Sequence, residues 1–246
     1  MNDILLSYAG HTAALNYAVA TLKQRGYPFS DNSDSNVTHL LLPVPSLEAD
    51  GIIKGNGSLQ ALLKNFSQNT IIIGGNLDRP ELQLYKTIDL LQDPQYIAQN
   101  ANITAYCAIK LAMNQLPIML AGCPVLVIGW GRIGKCLARL LRQLDADVTV
   151  ASRKSETRAI LSTLGYKTLD TSNITTEQYR LVFNTVPVML CPQCTGSGLK
   201  IDLASKPGLG GSDIIWARGL PSKEAPESSG QLIADTVIRL ISGKEC

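Results

Sequence analysis

Apolar positions over the first ninety residues come in two rhythms, short unbroken runs and helical spacings. Ile4-Leu5-Leu6 is a run, while Ala14, Leu15, Ala18, Val19 and Leu22 fall on one helix face, with Gly26 placed to stop it. Residues 30–36 form a polar loop. Thr38 to Leu42 then reads as a buried strand ending in Pro43-Val44-Pro45. A short helix through Leu59, Leu62 and Leu63 leads to a third strand, Thr70 to Ile73, closed by Gly74-Gly75. Strand alternating with helix predicts a small α/β domain around a parallel sheet. Ligands of such sheets lie beyond the carboxyl ends of the strands, so the edges of interest are Tyr8 to His11, Pro43 to Ser46 and Gly74 to Asn76.

Asp93-Pro94 reads as a turn and a boundary that closes a first domain over 1–94. Beyond it, Ala105, Ala108, Ile109, Ala112 and Leu116 share one helical face, with Thr104 as the expected N-cap and Pro117 as the stop. This predicts a bridging helix within 95–118. Val125-Leu126-Val127-Ile128 is apolar on both faces and opens a second domain over 119–226. Helix 132–144, strand 147–151, a helix near 155–164 ending at Gly165, and strands at 181–183, 199–203 and 213–216 follow. Leu232, Ile233, Val237, Leu240 and Ile241 predict a closing helix within 227–246.

A chain of 246 residues is comfortable for two such domains. It is 45% hydrophobic and only 5% aromatic, so its core is built from Leu, Ile, Val and Ala. A net charge of +2, with a mild positive bias beyond Pro94, argues against a nucleic-acid binder. No apolar stretch approaches the roughly 20 residues of a membrane helix. The first residues lack the basic region and apolar run of a signal peptide. Six irregularly spaced cysteines suit a reducing compartment, which points to the cytoplasm.

The strongest chemical signal is Gly129-Trp130-Gly131-Arg132-Ile133-Gly134, a GxGxxG turn between a buried strand and an amphipathic helix. In that context Gly129 permits the tight turn, Gly131 lets the backbone approach a pyrophosphate, and Gly134 lets helix and strand pack closely. The alternative is a glycine turn in a Rossmann-like domain that binds nothing. About 20 residues on, where an Asp or Glu would hold the ribose of NAD, the chain has Ala151-Ser152-Arg153-Lys154. A hydroxyl and two cations there favour a 2′-phosphate, hence NADP(H), with Arg132 as a second phosphate partner. A solvated basic loop is the plainer reading. Asn184-Thr185-Val186-Pro187 and Ser205-Lys206 end later strands and are candidates to face the ribose, nicotinamide and substrate. Lys206, Thr104 and His11 are the catalytic candidates, none of them an assured general base. His39 lies within an apolar run and reads as structural, and neither histidine has a metal-site partner at ligand spacing. Cys191-Pro192-Gln193-Cys194 is a single CxxC, without the second pair of a zinc site, and reads as a coincidence of the loop.

From about Leu90 onward the chain resembles the dipicolinate synthase A family, the NADPH-linked enzymes of spore formation. The matching stretches are DLLQDPQ (89–95), NITA (102–105), the glycine turn with its SRK, FNTVP (183–187), Ile201 to Gly211, and GLPSKEAPESSGQLIAD (219–235). The resemblance implies an α/β protein of two Rossmann-like or flavodoxin-like parallel-sheet domains joined by helices, the last helix packing back toward the first domain. It implies hydride transfer from a dihydrodipicolinate to NADP, in partnership with a flavoprotein-like second subunit. A homodimer is also compatible with an extended cleft between two domains. The chain departs from the family pattern in its first half. Thr104-Ala105-Tyr106-Cys107 stands where the family has Thr-Ala-Glu-Gly, and Ala9-Gly10-His11-Thr12-Ala13 lacks the Asp and Arg of a Gly-Gly-Asp-x-Arg segment. Pro43-Val44-Pro45-Ser46-Leu47 replaces a Pro-Val-Ser-Gly-Thr turn. A non-catalytic NADP-binding subunit or sensor, or an enzyme for another small imine or hydroxy acid, therefore stays open beside the leading reading.

Overall fold

The computed structural model describes residues 4–32, 34–48 and 50–243. They divide into two compact units, one holding the residues up to Asn100 together with those from Pro221 onward, the other Ala101–Leu220. In the first unit, β1 (Leu6–Tyr8), α1 (Ala13–Gln24), β2 (His39–Leu41), α2 (Leu59–Leu63), β3 (Ile71–Gly74) and β4 (Thr87–Asp89) build a parallel sheet in the order β1-β2-β3-β4. Phe29 adds a parallel bridge to Leu6. The Leu6 N–H donates to the Pro28 carbonyl and its carbonyl accepts from Ser30, on the side of β1 away from β2. The chain thus passes outside β1 before crossing to β2, as in flavodoxin-like sheets. One face packs Leu40, Leu42, Ile53, Leu59, Phe66 and Ile72 into a core.

The helix α3 (Pro94–Gln115) begins earlier than the apolar spacing suggests. Asp93 Oδ1 accepts from the Tyr96 N–H at 2.7 Å, and Pro94 occupies the first helical position, where a missing N–H costs nothing. Asp93-Pro94 is therefore a helix start rather than a free turn. The stripe of small residues continues upstream through Ala101, so Thr104 sits in mid-helix and caps nothing.

In the second unit β5 (Pro124–Ile128), α4 (Arg132–Gln143), β6 (Asp147–Ala151), α5 (Ser155–Thr163), β7 (Lys167–Leu169), β8 (Leu181–Asn184), β9 (Leu199–Asp202) and β10 (Ile214–Trp216) follow one another. The sheet order is β10-β9-β8-β5-β6-β7, parallel throughout. This is the doubly wound order, whose switch point lies between β5 and β8. β5 and β8 are fully buried from Val125 to Ile128 and Leu181 to Asn184. β4 and β7 escape the sequence pattern because each is a three-residue edge strand with only half-buried side chains.

A short α6 (Leu220–Glu224) leads into α7 (Pro226–Ser242), which starts six residues before Leu232 with proline again in its first turn. Within the first unit α7 lies along α1. The two approach closely at Gly230, where a Cβ would meet Tyr17 Cβ and, at 2.6 Å, the Ala14 carbonyl. Arg25 pairs with Asp235 and Arg239 with Asp93 across this helical layer. Among the described residues no helix is long and apolar enough to cross a membrane.

Candidate functional site

A cleft of about 490 Å³ opens at the switch point of the second sheet. Gly129 and Trp130 line it where β5 ends, Ser152, Arg153 and Lys154 where β6 ends, and Val186, Val188 and Leu190 after β8. Thr157 and Thr171 add hydroxyls, and among the described residues no carboxylate lines it.

The three glycines of the turn do different work. Gly129 has a φ of 102°, and a Cβ on it would strike Thr185 Oγ1 and, at 2.7 Å, Val186 Cγ2. A Cβ on Gly134 would run into the Gly129 carbonyl oxygen, so glycine is what lets α4 start against the end of β5. At Gly131, by contrast, no protein atom outside the adjoining chain lies within 4 Å of a Cβ position. Gly131 is exposed and is the N-cap of α4, and among the described residues no side chain caps its first turn. The N–H groups of Arg132, Ile133 and Gly134 therefore remain for an external acceptor, at the positive end of the helix. A cradle of this kind fits a diphosphate.

At the end of β6 the Ser152 side chain is buried, and its N–H donates to the Leu169 carbonyl at 3.0 Å. Arg153, Lys154 and Arg132 are exposed, and among the described residues no hydrogen bond or ion pair engages their charged ends. The sequence reading missed Arg158, which lies beneath this loop. Its Nη1 donates to the Ser152 carbonyl at 2.7 Å and to the Arg153 carbonyl at 2.9 Å, and it pairs with Asp170 at 2.6 Å. Hydrogen bonds from the Ser172 N–H and hydroxyl, with help from Arg158, hold the Asp170 carboxyl below the usual carboxylate range. Trp130 meets the edge of Tyr166 at 5.7 Å, and Tyr166 in turn faces the Arg142 guanidinium at 4.5 Å.

The wall beyond β8 is organised by a residue that no motif marks. Asp202 is fully buried, and its carboxylate accepts from Asn184 Nδ2 (2.9 Å) and from the N–H groups of Ala204 (2.9 Å), Gly208 (2.7 Å) and Leu209 (3.1 Å). Asn184 is buried too. Its amide is fully engaged with Asp202 and with both backbone groups of Val186, so it shapes the loop and offers no polar atom to a ribose. Thr185 donates its hydroxyl to the Ile128 carbonyl at 2.8 Å and backs the turn rather than lining the cleft. Pro187 is exposed beside the lining residues Val186 and Val188.

Of the remaining candidates in the second unit, Thr104, Ser205 and Lys206 are not among the residues that line this cleft. Ser205 and Lys206 are exposed in the loop after β9, where the Ser205 carbonyl accepts from Arg218. Thr104 is half-buried within α3. His11, in the first unit, is exposed beside a polar hollow of about 200 Å³ bordered by Ser7, Asp31, Asn32 and Asn56. His39 is buried in β2, and burial, with the charge of Lys86 as a smaller cause, pushes its imidazole down from the ordinary value. Cys191 and Cys194 are a bonded pair rather than two unrelated loop residues. Backbone bonds of Cys191 and Cys194 to Gly208 and Gly210 fold the loop so that the sulfurs meet.

No family model matches the chain. In an alignment of 174 positions that covers 64% of this chain, it is 29% identical to the dipicolinate synthase A protein of Bacillus subtilis, and the match spans 58% of that protein. The solved structure of dipicolinate synthase, A chain, from Bacillus subtilis superposes with a TM-score of 0.81 at 21% identity, covering 99% of this chain and 97% of the other. A transhydrogenase from Sinorhizobium meliloti shares the fold at a TM-score of 0.68 and 13% identity, covering 97% and 93%. In sequence over its greater part, and in fold over nearly all of it, the chain is similar to dipicolinate synthase A.

Proposed function

We propose that the protein is an NADP-dependent oxidoreductase of the dipicolinate synthase type, moving hydride between a dihydrodipicolinate and NADP. The observation that carries the cofactor half is one cleft where Gly129 and Trp130, which lead directly into the uncapped start of α4, face the Ser152-Arg153-Lys154 loop, with no carboxylate among its described lining residues. Gly129, Gly131 and Gly134, with the first N–H groups of α4, hold the diphosphate. Arg153 would hold the 2′-phosphate, Lys154 and Arg132 would add charge, and the Ser152 hydroxyl would meet the ribose. Val186, Val188 and Leu190 supply the apolar wall that shields the cofactor from water. The bound nicotinamide supplies the hydride chemistry: a dihydropyridine that gives up a hydride to it and a proton to solvent becomes aromatic.

Cofactor titration followed by protein fluorescence tests this. NADPH binds more tightly than NADH, and Arg153→Ala weakens NADPH by about tenfold or more while leaving NADH unchanged. Equal affinities that ignore the substitution would refute the 2′-phosphate reading. Turnover is then followed with NADP+ and freshly generated hydroxy-tetrahydrodipicolinate, which gives the dihydrodipicolinate by loss of water.

One observation favours a second reading, a nucleotide-binding protein that does no chemistry itself. Tyr106 is exposed on α3 where the resemblance expects a carboxylate, and residues 9–13 lack the Asp and Arg that the resemblance expects there. NADPH binding without turnover, even with a flavoprotein-like partner present, would select this reading.

A further inference from the structure

We infer that Arg158 and Asp170 set the cofactor preference of the cleft without touching the cofactor, by clamping the Ser152-Arg153-Lys154 loop in the shape that presents its cations. The inference rests on the NADP reading above.

The loop has little else to hold it. After Ala151 the chain leaves the sheet, and α5 does not begin until Ser155. Carbonyls at such a strand end ordinarily go to water. Here those of Ser152 and Arg153 both accept from Arg158 Nη1, at 2.7 and 2.9 Å. Two successive carbonyls drawn to one donor fix the peptide planes between them. Arg153 and Lys154 line the cleft, whereas Arg158 is not among its lining residues. The donor is itself anchored, because the Arg158 N–H closes the first turn of α5 on the Lys154 carbonyl at 3.1 Å.

Asp170 gives the clamp its second half. Its Oδ1 accepts from the Ser172 N–H at 2.9 Å, and its Oδ2 pairs with Arg158 at 2.6 Å. An unpaired guanidinium so near the cleft would compete for an incoming phosphate. Paired, it acts on the backbone instead. Both side chains are partly exposed, 24% and 30%, so solvent screens the pair and its effect is mainly geometric. Geometry is what a bidentate phosphate contact needs, since Arg153 otherwise loses rotamer freedom for every bond it forms.

The decisive variant is Asp170→Asn, which keeps an acceptor for Ser172 and removes the ion pair. Arg158→Gln removes both carbonyl contacts as well. Each folded variant, checked by circular dichroism, is titrated with NADPH and with NADH. The clamp predicts that NADPH weakens by about tenfold in each while NADH changes less than about twofold. An Asp170→Asn protein with tighter NADPH binding would mean that Arg158 ligates phosphate directly, and would overturn the proposal. Equal losses for both cofactors would overturn it too, as the mark of a merely structural role. If Arg158→Gln does not fold, Asp170→Asn decides alone. A wild-type chain without NADPH preference sinks the cofactor reading and the clamp with it, whereas a preference that survives the variants sinks only the clamp.

Discussion

Behind β5 the helix α4 starts at Gly131 with no side chain capping its first turn, whereas behind β1 the helix α1 starts at Thr12, whose Oγ1 accepts from the Leu15 N–H at 3.2 Å. The contrast extends along both edges. In the second unit three cations near the glycine turn stand without partners among the described residues. In the first, Ser46 is buried, donates to the Pro43 carbonyl and accepts from the Gly75 N–H, so its hydroxyl is fully engaged. Two parallel sheets of similar architecture thus differ in what their carboxyl edges leave unsatisfied. An edge whose donors are already paired stabilises its own loops, and an edge that keeps donors and charge unpaired is prepared for an anionic ligand.

The comparison breaks most visibly at Asp202, which belongs to the ligand-prepared unit yet is fully satisfied. Asp202→Ala orphans four buried donors, each costing about 1–3 kcal/mol, and should lower unfolding stability by about 3 kcal/mol or more in denaturant titrations. A smaller loss would show that the wall beyond β8 does not depend on that carboxylate. Gly131→Ala sharpens the contrast, because nothing nearby is displaced. It should leave the melting temperature within about a degree while weakening either dinucleotide by about tenfold or more. In the first unit Thr12→Ala should do the reverse, costing about 1 kcal/mol of stability with cofactor affinity unchanged. The smallest effect is a pH dependence. Because His39 has its pKa lowered in the fold, the unfolded chain binds the extra proton as pH drops below the ordinary value of 6.5. Stability present above that pH therefore declines below it, and His39→Gln should flatten the decline in melts run from pH 7.5 to 5.

The local half of the site is written in short stretches of chain. Strand, glycine turn and amphipathic helix are contiguous from Val125 to Leu141, and the three residues after β6 carry their own charge. Periodicity and turn chemistry act over such distances, so the cleft's cradle and its basic rim were legible. The same local reasoning misplaced Thr104, because an Asp-Pro start ten residues upstream fixed the helix first. It also assigned Asn184 to a ribose, because nothing nearby in the chain shows that Asp202, 18 residues on, engages its amide. Arg158 with Asp170, and Asp202 with Asn184, join residues that only the packing of separate elements brings within 2.9 Å. Sequence by itself determined the kinds of element, the parallel-sheet α/β class and the position of the glycine turn and its basic loop. The tertiary structure decided which polar groups are already paired and which remain for a ligand, because pairing is a property of neighbours in space.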